Sequence, residues 1–494
     1  MNQSEKSKIT GGKVLKYISI VAIILQVLAS LFITVQVFKF GGIPTKYEII
    51  IISILLLFLV ITVLLHFGNK VARIISIILS VILSVSYILA FTYVSKLNST
   101  LDKMTGNTVT TTKVSIVVKK DSDYHAVSDL KGKKFVTARN AATKYADDVI
   151  SKVQDACGQE PDVSDYNDPV QAAKDLLDGK VEAFIMDEAT RSDIEEAVDG
   201  FADNTHVLSD YTVEESAAAP ESVKDIPSFN VFISGIDVTG DVSTKSRSDV
   251  NIIANVNTQT HTVLLLTTPR DYFIDVPFAP GQKDKLTHMG LYGVQTSMDT
   301  LENLYGIKLD HYMRMNFTGF TNIVDALGGV TVYSDYDFTT LNGGYHIEKG
   351  YNVLNGEAAL GFARERYSLP DGDFQRGRDQ MEVIKAIITK ATSSAAVLTN
   401  YSSVLDSVSD CMQTNLSRDD INALIKGQLN DMKAWTVLTY NVSGTCTSST
   451  MYSYPTSPKS VVIPDESTVE YAKKLMQKVT DGETVTQDDI SAMR

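Results

Sequence analysis

Three apolar runs at the start of the chain constrain everything that follows them. Residues 14–38 carry a single charge, Lys16, and two glutamines, Gln26 and Gln36, residues 49–65 follow Glu48, and residues 71–94 carry a single charge, Arg73. Each is long enough, or nearly so, to cross about 30 Å of hydrocarbon as a helix. A helix is the fold such runs must take in lipid, because it satisfies its own backbone donors and acceptors. A cleaved leader is not expected: the first run is long, no clear small-residue cleavage site follows it, and two more spans come after. Lys6, Lys8, Lys13 and Lys16 precede or open the first span, and Lys70 and Arg73 sit between the second and third, against Lys39 and Lys46 in the first loop. The positive-inside rule then places a tail of residues 1–13 in the cytoplasm, three spans in residues 14–95, and the chain beyond about Lys96 outside the cell. Chemistry out there has no ATP, so any group to be transferred must arrive already activated.

The external part is large enough for two domains. A Ser/Thr/Asn-rich stretch, residues 96–112, reads as a linker. Residues 113–213 alternate strand and helix patterns and are expected to form a small α/β accessory domain. Two segments, Ser128-Asp129-Leu130-Lys131-Gly132-Lys133-Lys134-Phe135-Val136 and the run from Leu176 through Asp178-Gly179-Lys180 to Glu188, resemble a lobe of the extracellular solute-binding proteins. No complete second lobe is visible, so a spacer or partner-docking role is expected for it. Residues 214–228, with three alanines, Pro220 and Pro227, read as the linker into a main domain of residues 229–494.

In that domain, residues 231–236, 250–256 and 262–267 are short, β-branched and apolar, and read as buried strands. Acids and arginines sit at their ends: Asp237, Arg247 with Asp249, and Arg270 with Asp271. Ligands of open α/β sheets bind at strand ends. Carboxylates suit a hard cation and guanidinium forks suit phosphate oxygens, so the mixture points to a metal–phosphate site. A lone acid–arginine pair is more often a surface salt bridge; three in succession argue for a site. The protein is acidic, with a formal net charge of -14 and a pI near 5.0, which argues against a nucleic-acid partner. Even so, seven arginines fall between Arg247 and Arg378 while lysine is scattered. Arg364 and Arg366 converge only at a helix end or on extended chain, since on a regular helix they diverge. The three cysteines, Cys157, Cys411 and Cys446, form no C-x-x-C pair, and no zinc motif is present; Cys411 and Cys446 either pair in an extracellular domain or stay as two unpaired buried thiols.

Five ordered motifs then coincide: Ser246-Arg247-Ser248-Asp249, Thr268-Pro269-Arg270-Asp271, Asp325-Ala326-Leu327-Gly328-Gly329-Val330, Ala363-Arg364-Glu365-Arg366 and Gly372-Asp373-Phe374-Gln375-Arg376. Together they resemble the LytR–CpsA–Psr family over roughly residues 228–392. The three-span anchor with an accessory domain resembles the capsular-polysaccharide members of streptococcal type. The resemblance implies an LCP-type α/β sandwich with a pocket for a polyprenyl chain. It implies a phosphotransferase that moves capsular polysaccharide from an undecaprenyl-pyrophosphate carrier to peptidoglycan through a new phosphodiester. It implies Mg²⁺ or Mn²⁺ held by Asp237 and Asp249, and pyrophosphate bound by Arg247, Arg270, Arg364, Arg366, Arg376 and Gln380, with Asp373 in the same motif. Arg270, Arg364, Arg366 and Arg376 would stabilise the leaving phosphate, and Asp271, next to Arg270, would orient or deprotonate the acceptor hydroxyl or else orient an arginine. Thr268 stands where the family usually has serine, and Asp379 where relatives often carry a basic residue. Expected partners are the lipid-linked polysaccharide, peptidoglycan, the membrane and other capsule-assembly membrane proteins. A polyprenyl-pyrophosphate hydrolase and a non-catalytic sensor of lipid-linked glycan are the competing readings. Apolar residues in the stretches 294–327 and 381–388 exceed what one buried face needs, so these helices are expected to line an apolar tunnel, an ordinary core being the alternative.

Overall fold

The computed structural model describes residues 3–106, 109–138, 146–166, 168–216, 227–236, 242–393, 407, 411–456 and 458–492, which divide into two compact units. The first unit holds three long helices, α1 (Gln3–Phe40), α2 (Thr45–Phe67) and α3 (Lys70–Gly106), each long and apolar enough to cross a membrane. Ala29, Ile33 and Val37 of α1 pack on Leu83 and Tyr87 of α3, with Ile51, Leu55 and Phe58 of α2 against them. Many of the remaining apolar side chains point outward, as lipid contact requires. One segment from late in the chain belongs to this unit. The helix Arg418–Asp431 lies on one end of the bundle, where Asn422 Nδ2 donates to the Phe40 carbonyl at 2.6 Å, Arg418 Nη1 pairs with Asp102 at 2.5 Å and Lys46 Nζ donates to the Asn430 carbonyl at 2.5 Å. The bonds to Phe40 and Asn430 cap carbonyls that a helix end leaves without partners.

Most of the stretch expected as a linker, residues 96–112, is regular structure. α3 continues to Gly106 and a strand begins at Val109. Leu97 and Leu101 recur at i, i+4 and are buried, so the apolar stripe outlasts the membrane-like composition. Most of the linker expected over residues 214–228 lies outside the described residues.

The second unit opens with the accessory domain. Strands β1 (Val109–Lys119), β2 (Lys134–Ala138), β3 (Asp162–Tyr166), β4 (Ala183–Asp187) and β5 (Thr205–Ser216) form a mixed sheet in the order β3-β2-β4-β1-β5. Helices α4 (Ala146–Cys157), α5 (Pro169–Leu177), α6 (Arg191–Ala197) and α7 (Phe201–Asn204) flank it. Two cores result: Val149 and Val153 of α4 pack on Ile116 and Phe135, while Ala172, Leu176 and Ile194 pack on Val117, Phe184 and Met186.

The main domain is built on β6 (Ser228–Ile236), β7 (Ser248–Asn257) and β8 (Thr262–Thr267), an antiparallel meander. Strands β9 (Phe273–Asp275) and β10 (Lys283–Lys285) pair beside it, followed by the short α8 (Leu286–Met289) and by α9 (Val294–Tyr305). β11 (His311–Met315) joins β6 in parallel, α10 (Phe317–Ala326) follows, and β12 (Val330–Ser334), β13 (Phe338–Thr339), β14 (His346–Ile347) and β15 (Gly350–Leu354) form two small ribbons. Next come α11 (Gly356–Arg364) and α12 (Asp373–Ala391). After β16 (Met412–Thr414), α13 is the helix Arg418–Asp431 described above. β17 (Thr436–Asn441), the hairpin β18 (Gly444–Ser449) and β19 (Lys459–Pro464), α14 (Glu466–Thr480) and α15 (Gln487–Ser491) close the chain.

The central sheet therefore runs β16-β11-β6-β7-β8-β17. On one face Phe232, Ile253, Leu264, Leu266 and Tyr440 pack against Met298 and Leu301 of α9 and Val469, Ala472 and Leu475 of α14. Helix α12 lies along β7, β8 and β17. This is the α/β sandwich expected from the motifs. The apolar side of α9 is consumed by this core, so for α9 the expected tunnel gives way to ordinary packing. Cys411 and Cys446 are not joined by a disulfide.

Asp379 on α12 carries a consequence for stability. Its carboxyl is buried, accepts from Gln375 Nε2 at 2.8 Å through one oxygen and has no partner for the other. Burial pushes it up to about 8. The folded state therefore keeps a proton that the unfolded chain releases above about pH 4, so stability falls as pH rises from there toward 8. Asp379→Asn is expected to flatten that fall and to raise Tm by a few degrees at pH 8, with little gain at pH 4. A Tm that drops at both pH values in the variant would refute this.

Candidate active site

The C-terminal ends of β6, β8 and β17 and the start of β7 lie at the same end of the sheet. The first turns of α12 close over that end. Asp249, Asn251, Thr267, Thr268, Arg270, Asp373, Phe374, Arg376, Gly377, Gln380 and Asn441 line the resulting pocket. Gly377 lets α12 approach closely, since a Cβ there would sit 3.3 Å from Thr267 Cγ2. Gly372, at φ +52, makes the turn that starts the helix, a conformation open mainly to glycine.

The charges are paired differently from the sequence expectation. Arg270 Nη1 donates to Asp249 Oδ2 at 2.8 Å, while Asp271 Oδ1 lies 3.8 Å from Arg270 Nε and 3.1 Å from Lys285 Nζ. Thr287 Oγ1 donates to the second oxygen of Asp249 at 3.3 Å. Arg376 pairs with Asp373 one turn back on α12. Arg247 does not pair with Asp249; its guanidinium meets Asp193 of the accessory domain. Two donors remain: the Nε groups of Arg247 and Arg270 are buried without a hydrogen-bond acceptor. An orphaned guanidinium N–H is costly unless a ligand completes it. Burial lowers the Arg247 guanidinium, and the like charge of Arg270 acts the same way. Burial, together with the nearby Asp271, raises the Asp373 carboxyl against the pull of Arg376, Arg270 and Arg366.

The segment Ala363–Tyr367 is held by Glu365. Helix α11 ends at Arg364, so Arg366 lies beyond it and not on a helix carrying both arginines. Glu365 is buried, and burial alone would raise its carboxyl. The backbone N–H groups of Leu341, Ser368, Arg366 and Tyr367 outweigh that and hold it below the usual range. The turn delivers Arg366 within electrostatic reach of Asp373, its guanidinium stacked on the Tyr367 ring at 4.5 Å. Arg364 does not line the pocket; its guanidinium sits 4.1 Å over the Phe317 ring. Gln380 joins α12 to α11 by donating to the Ala363 carbonyl at 3.2 Å.

The structure thus brings together Asp249, Arg270, Asp271, Arg376 and Gln380, with Asp373 among them and Arg247 and Arg366 at the margin. Asp237 lies outside the described residues. Lys285 and Thr287 belong to the site and were not predicted. The signal available was the run Lys285-Leu286-Thr287-His288-Met289-Gly290, whose glycine has no room for a side chain: a Cβ would lie 2.5 Å from the Ser246 carbonyl oxygen and 2.8 Å from Ser248 N. Asn251 also escaped notice; its Oδ1 is a buried acceptor without a partner.

A three-helix apolar segment, an α/β sandwich and a pocket of guanidinium groups set among acids define a membrane-anchored α/β protein. The chain belongs to the LytR_cpsA_psr family, whose model matches residues 195–465. It is 37% identical over 216 residues, 43% of this chain and 70% of the relative, to a polyisoprenyl-teichoic acid–peptidoglycan teichoic acid transferase TagU from Enterococcus faecalis. It is 33% identical over 214 residues, 43% of this chain and 69% of the relative, to the protein of the same name from Bacillus anthracis. Among solved structures it is similar to Bacillus subtilis TagV, at 25% identity and a TM-score of 0.43, over 52% of this chain and 98% of that one.

Glu365→Gln keeps the side-chain volume but turns one acceptor oxygen into an amide donor facing backbone N–H groups. It is expected to cost about 2–3 kcal/mol of stability and to expose the 365–368 turn to protease. An unchanged unfolding midpoint together with an intact cleavage pattern would show that the turn does not depend on the carboxylate.

Proposed function

We propose that this protein transfers a glycopolymer, of capsular-polysaccharide type, from a polyprenyl-pyrophosphate carrier to peptidoglycan at the outer face of the cell membrane. The observation that carries the reading is the pair of buried, unaccepted Nε–H donors on Arg247 and Arg270, set beside the Arg376 end of α12. The relatives' names supply the class of donor and acceptor. The lysine and arginine distribution around the apolar helices supports an external site.

In the reaction, the acceptor hydroxyl attacks the sugar-bearing phosphorus, the bridging P–O bond breaks, and polyprenyl phosphate leaves with the bond's electron pair. Negative charge grows on the leaving phosphate, so donors that strengthen with that charge lower the barrier. Arg270 and Arg376 line the pocket and are the first candidates. Arg247 and Arg366 are placed to add to the field, and Arg364 would have to leave Phe317 to do so. The hydroxyl proton needs an acceptor. Asp271, facing Lys285, and Asp373, facing Arg376 and raised by burial, are the two candidate bases.

Arg247, Arg270, Arg376 and Lys285 already face acids, so a pyrophosphate diester brings negative charge that the arginines alone do not balance. A divalent cation fits that deficit. Asp249 and the unpartnered Asn251 Oδ1 would hold it, with Asp237 as the second carboxylate, and Mg²⁺ commonly takes few protein ligands and completes its shell with phosphate and water. When bound, Mg²⁺ or Mn²⁺ would neutralise phosphate oxygens. Apolar side chains on α10 and α12 that are only partly buried, among them Phe320 and Ile387, suit the prenyl chain better than α9 does.

Purified full-length protein in detergent, given a polyprenyl-pyrophosphate-linked saccharide and peptidoglycan fragments, tests the reading. Arg270→Lys and Arg376→Lys are each expected to lower turnover by roughly 10- to 1000-fold despite unchanged charge, because lysine lacks the paired donors. Rates near wild type for both would remove the arginines from catalysis. Release of free saccharide phosphate without peptidoglycan product would instead make the protein a hydrolase, and binding without turnover a sensor. Asp249→Asn is expected to weaken Mn²⁺ binding, read by electron paramagnetic resonance, by at least about tenfold. Unaltered Mn²⁺ affinity would move the cation elsewhere.

A further inference from the structure

The loop that carries Arg247 into the site is held by the accessory domain. Thr111 on β1 donates its N–H to the Ser243 carbonyl at 2.9 Å and accepts from Lys245 N at 3.0 Å, and the hydroxyls of Thr111 and Ser243 lie 2.7 Å apart. From the main domain, buried Arg314 on β11 grips the same loop through the carbonyls of Val242 at 3.0 Å and Thr244 at 2.6 Å. The loop is thus clamped by its backbone on two sides, one in each domain. Beyond it, the Arg247 guanidinium reaches the nearly fully buried carboxylate of Asp193 on α6. The surrounding contact is extensive: Met451, Tyr454 and Val461 of the main domain share an apolar core with Phe184, Met186 and Ile194, and Lys459 pairs with Glu196 at 3.5 Å.

A spacer domain needs none of this. An arginine released from Asp193 would lose its direct partner, keep only the electrostatic pull of Asp249 and Asp271 against the like charge of Arg270, and swing toward water. The ion-pair contact with Asp193 is made at Nη2, while neither Asp193 Oδ1 nor Arg247 Nε–H has a hydrogen-bond partner. That is how a guanidinium is held by one edge while the other serves a second anion.

We propose that Asp193 is a positioning residue for the pyrophosphate site: the accessory domain fixes Arg247 by one edge so that its remaining donors meet the lipid-linked pyrophosphate. The inference rests on the anion-site reading given above. It assigns the accessory domain a part in donor binding in place of the spacer or docking role expected for it.

The test uses the full-length protein in detergent and separates KM for the lipid-linked pyrophosphate donor from kcat. Asp193→Asn, Asp193→Glu, Arg247→Ala and the Asp193→Asn/Arg247→Ala double variant are compared, with Lys459→Ala as a control that removes the other ion pair across the same interface. Asp193→Asn is expected to raise donor KM by about tenfold with kcat changed less than about threefold, since a ground-state contact to a charged group is weakened. Asp193→Glu restores part of the affinity, and the double variant is no worse than Arg247→Ala alone. An unchanged KM in Asp193→Asn while Arg247→Ala raises it overturns the inference and leaves the anion site standing. An equal KM rise in Lys459→Ala also overturns it, by reducing Asp193 to an interface residue. Unchanged KM in both Asp193→Asn and Arg247→Ala overturns it together with the placement of pyrophosphate at Arg247.

Discussion

Gathering cations at one end of a sheet is unfavourable unless acids come with them. Two guanidinium groups roughly 6 Å apart in a partly buried site repel by about 2–3 kcal/mol, a sizeable share of what holds a domain folded. The structure meets this by giving the site's cations acids of their own: Asp193 for Arg247, Asp249 for Arg270, Asp271 for Lys285 and Asp373 for Arg376. The site is pre-assembled and nearly neutral, and a ligand competes for donors that are already oriented. Electrostatic catalysis gains from such order because no reorganisation is left for the moment of reaction.

That balance explains the architecture around it. Three acids arrive on local elements: Asp249 opens β7, Asp271 follows β8, and Asp373 opens α12. Each is within a short stretch of the arginine or lysine it serves or sits opposite it in the sheet. The fourth, Asp193, comes from another domain, and with it come a shared apolar core and a backbone clamp. The Glu365 turn solves a related problem by a different route, using four main-chain N–H groups to hold one carboxylate and so fix the chain between Arg364 and Arg366.

Buried acids are not all neutralised in this way. Asp379 lies a turn beyond Arg376 and has only Gln375 to bond with. It resolves its burial by keeping a proton. Two carboxyls on one helix thus take opposite solutions. Asp373 remains next to Arg376 in the pocket, and Asp379 is turned away from solvent.

The sequence alone determined the membrane-length helices, the α/β alternation of both domains that follow them, and most residues of the candidate site, because hydropathy, period and short motifs are local properties. It also showed why Arg364 and Arg366 needed a helix end, and α11 stops at Arg364. Partner choice was decided by the tertiary structure. Arg247 stands two residues from Asp249 in sequence yet pairs with Asp193 on another domain, and Asp271 adjoins Arg270 yet lies closer to Lys285. Lys285, Thr287 and Asn251 became site residues only when β7, β8 and the turn into α8 met at one end of the sheet. The extension of α3 past the membrane-length run was visible only as Leu97 and Leu101, whose burial comes from packing. A side chain's neighbours along the chain fix its backbone; its charge partner is whichever opposite group the fold brings within a few ångströms in a medium too apolar to leave it alone.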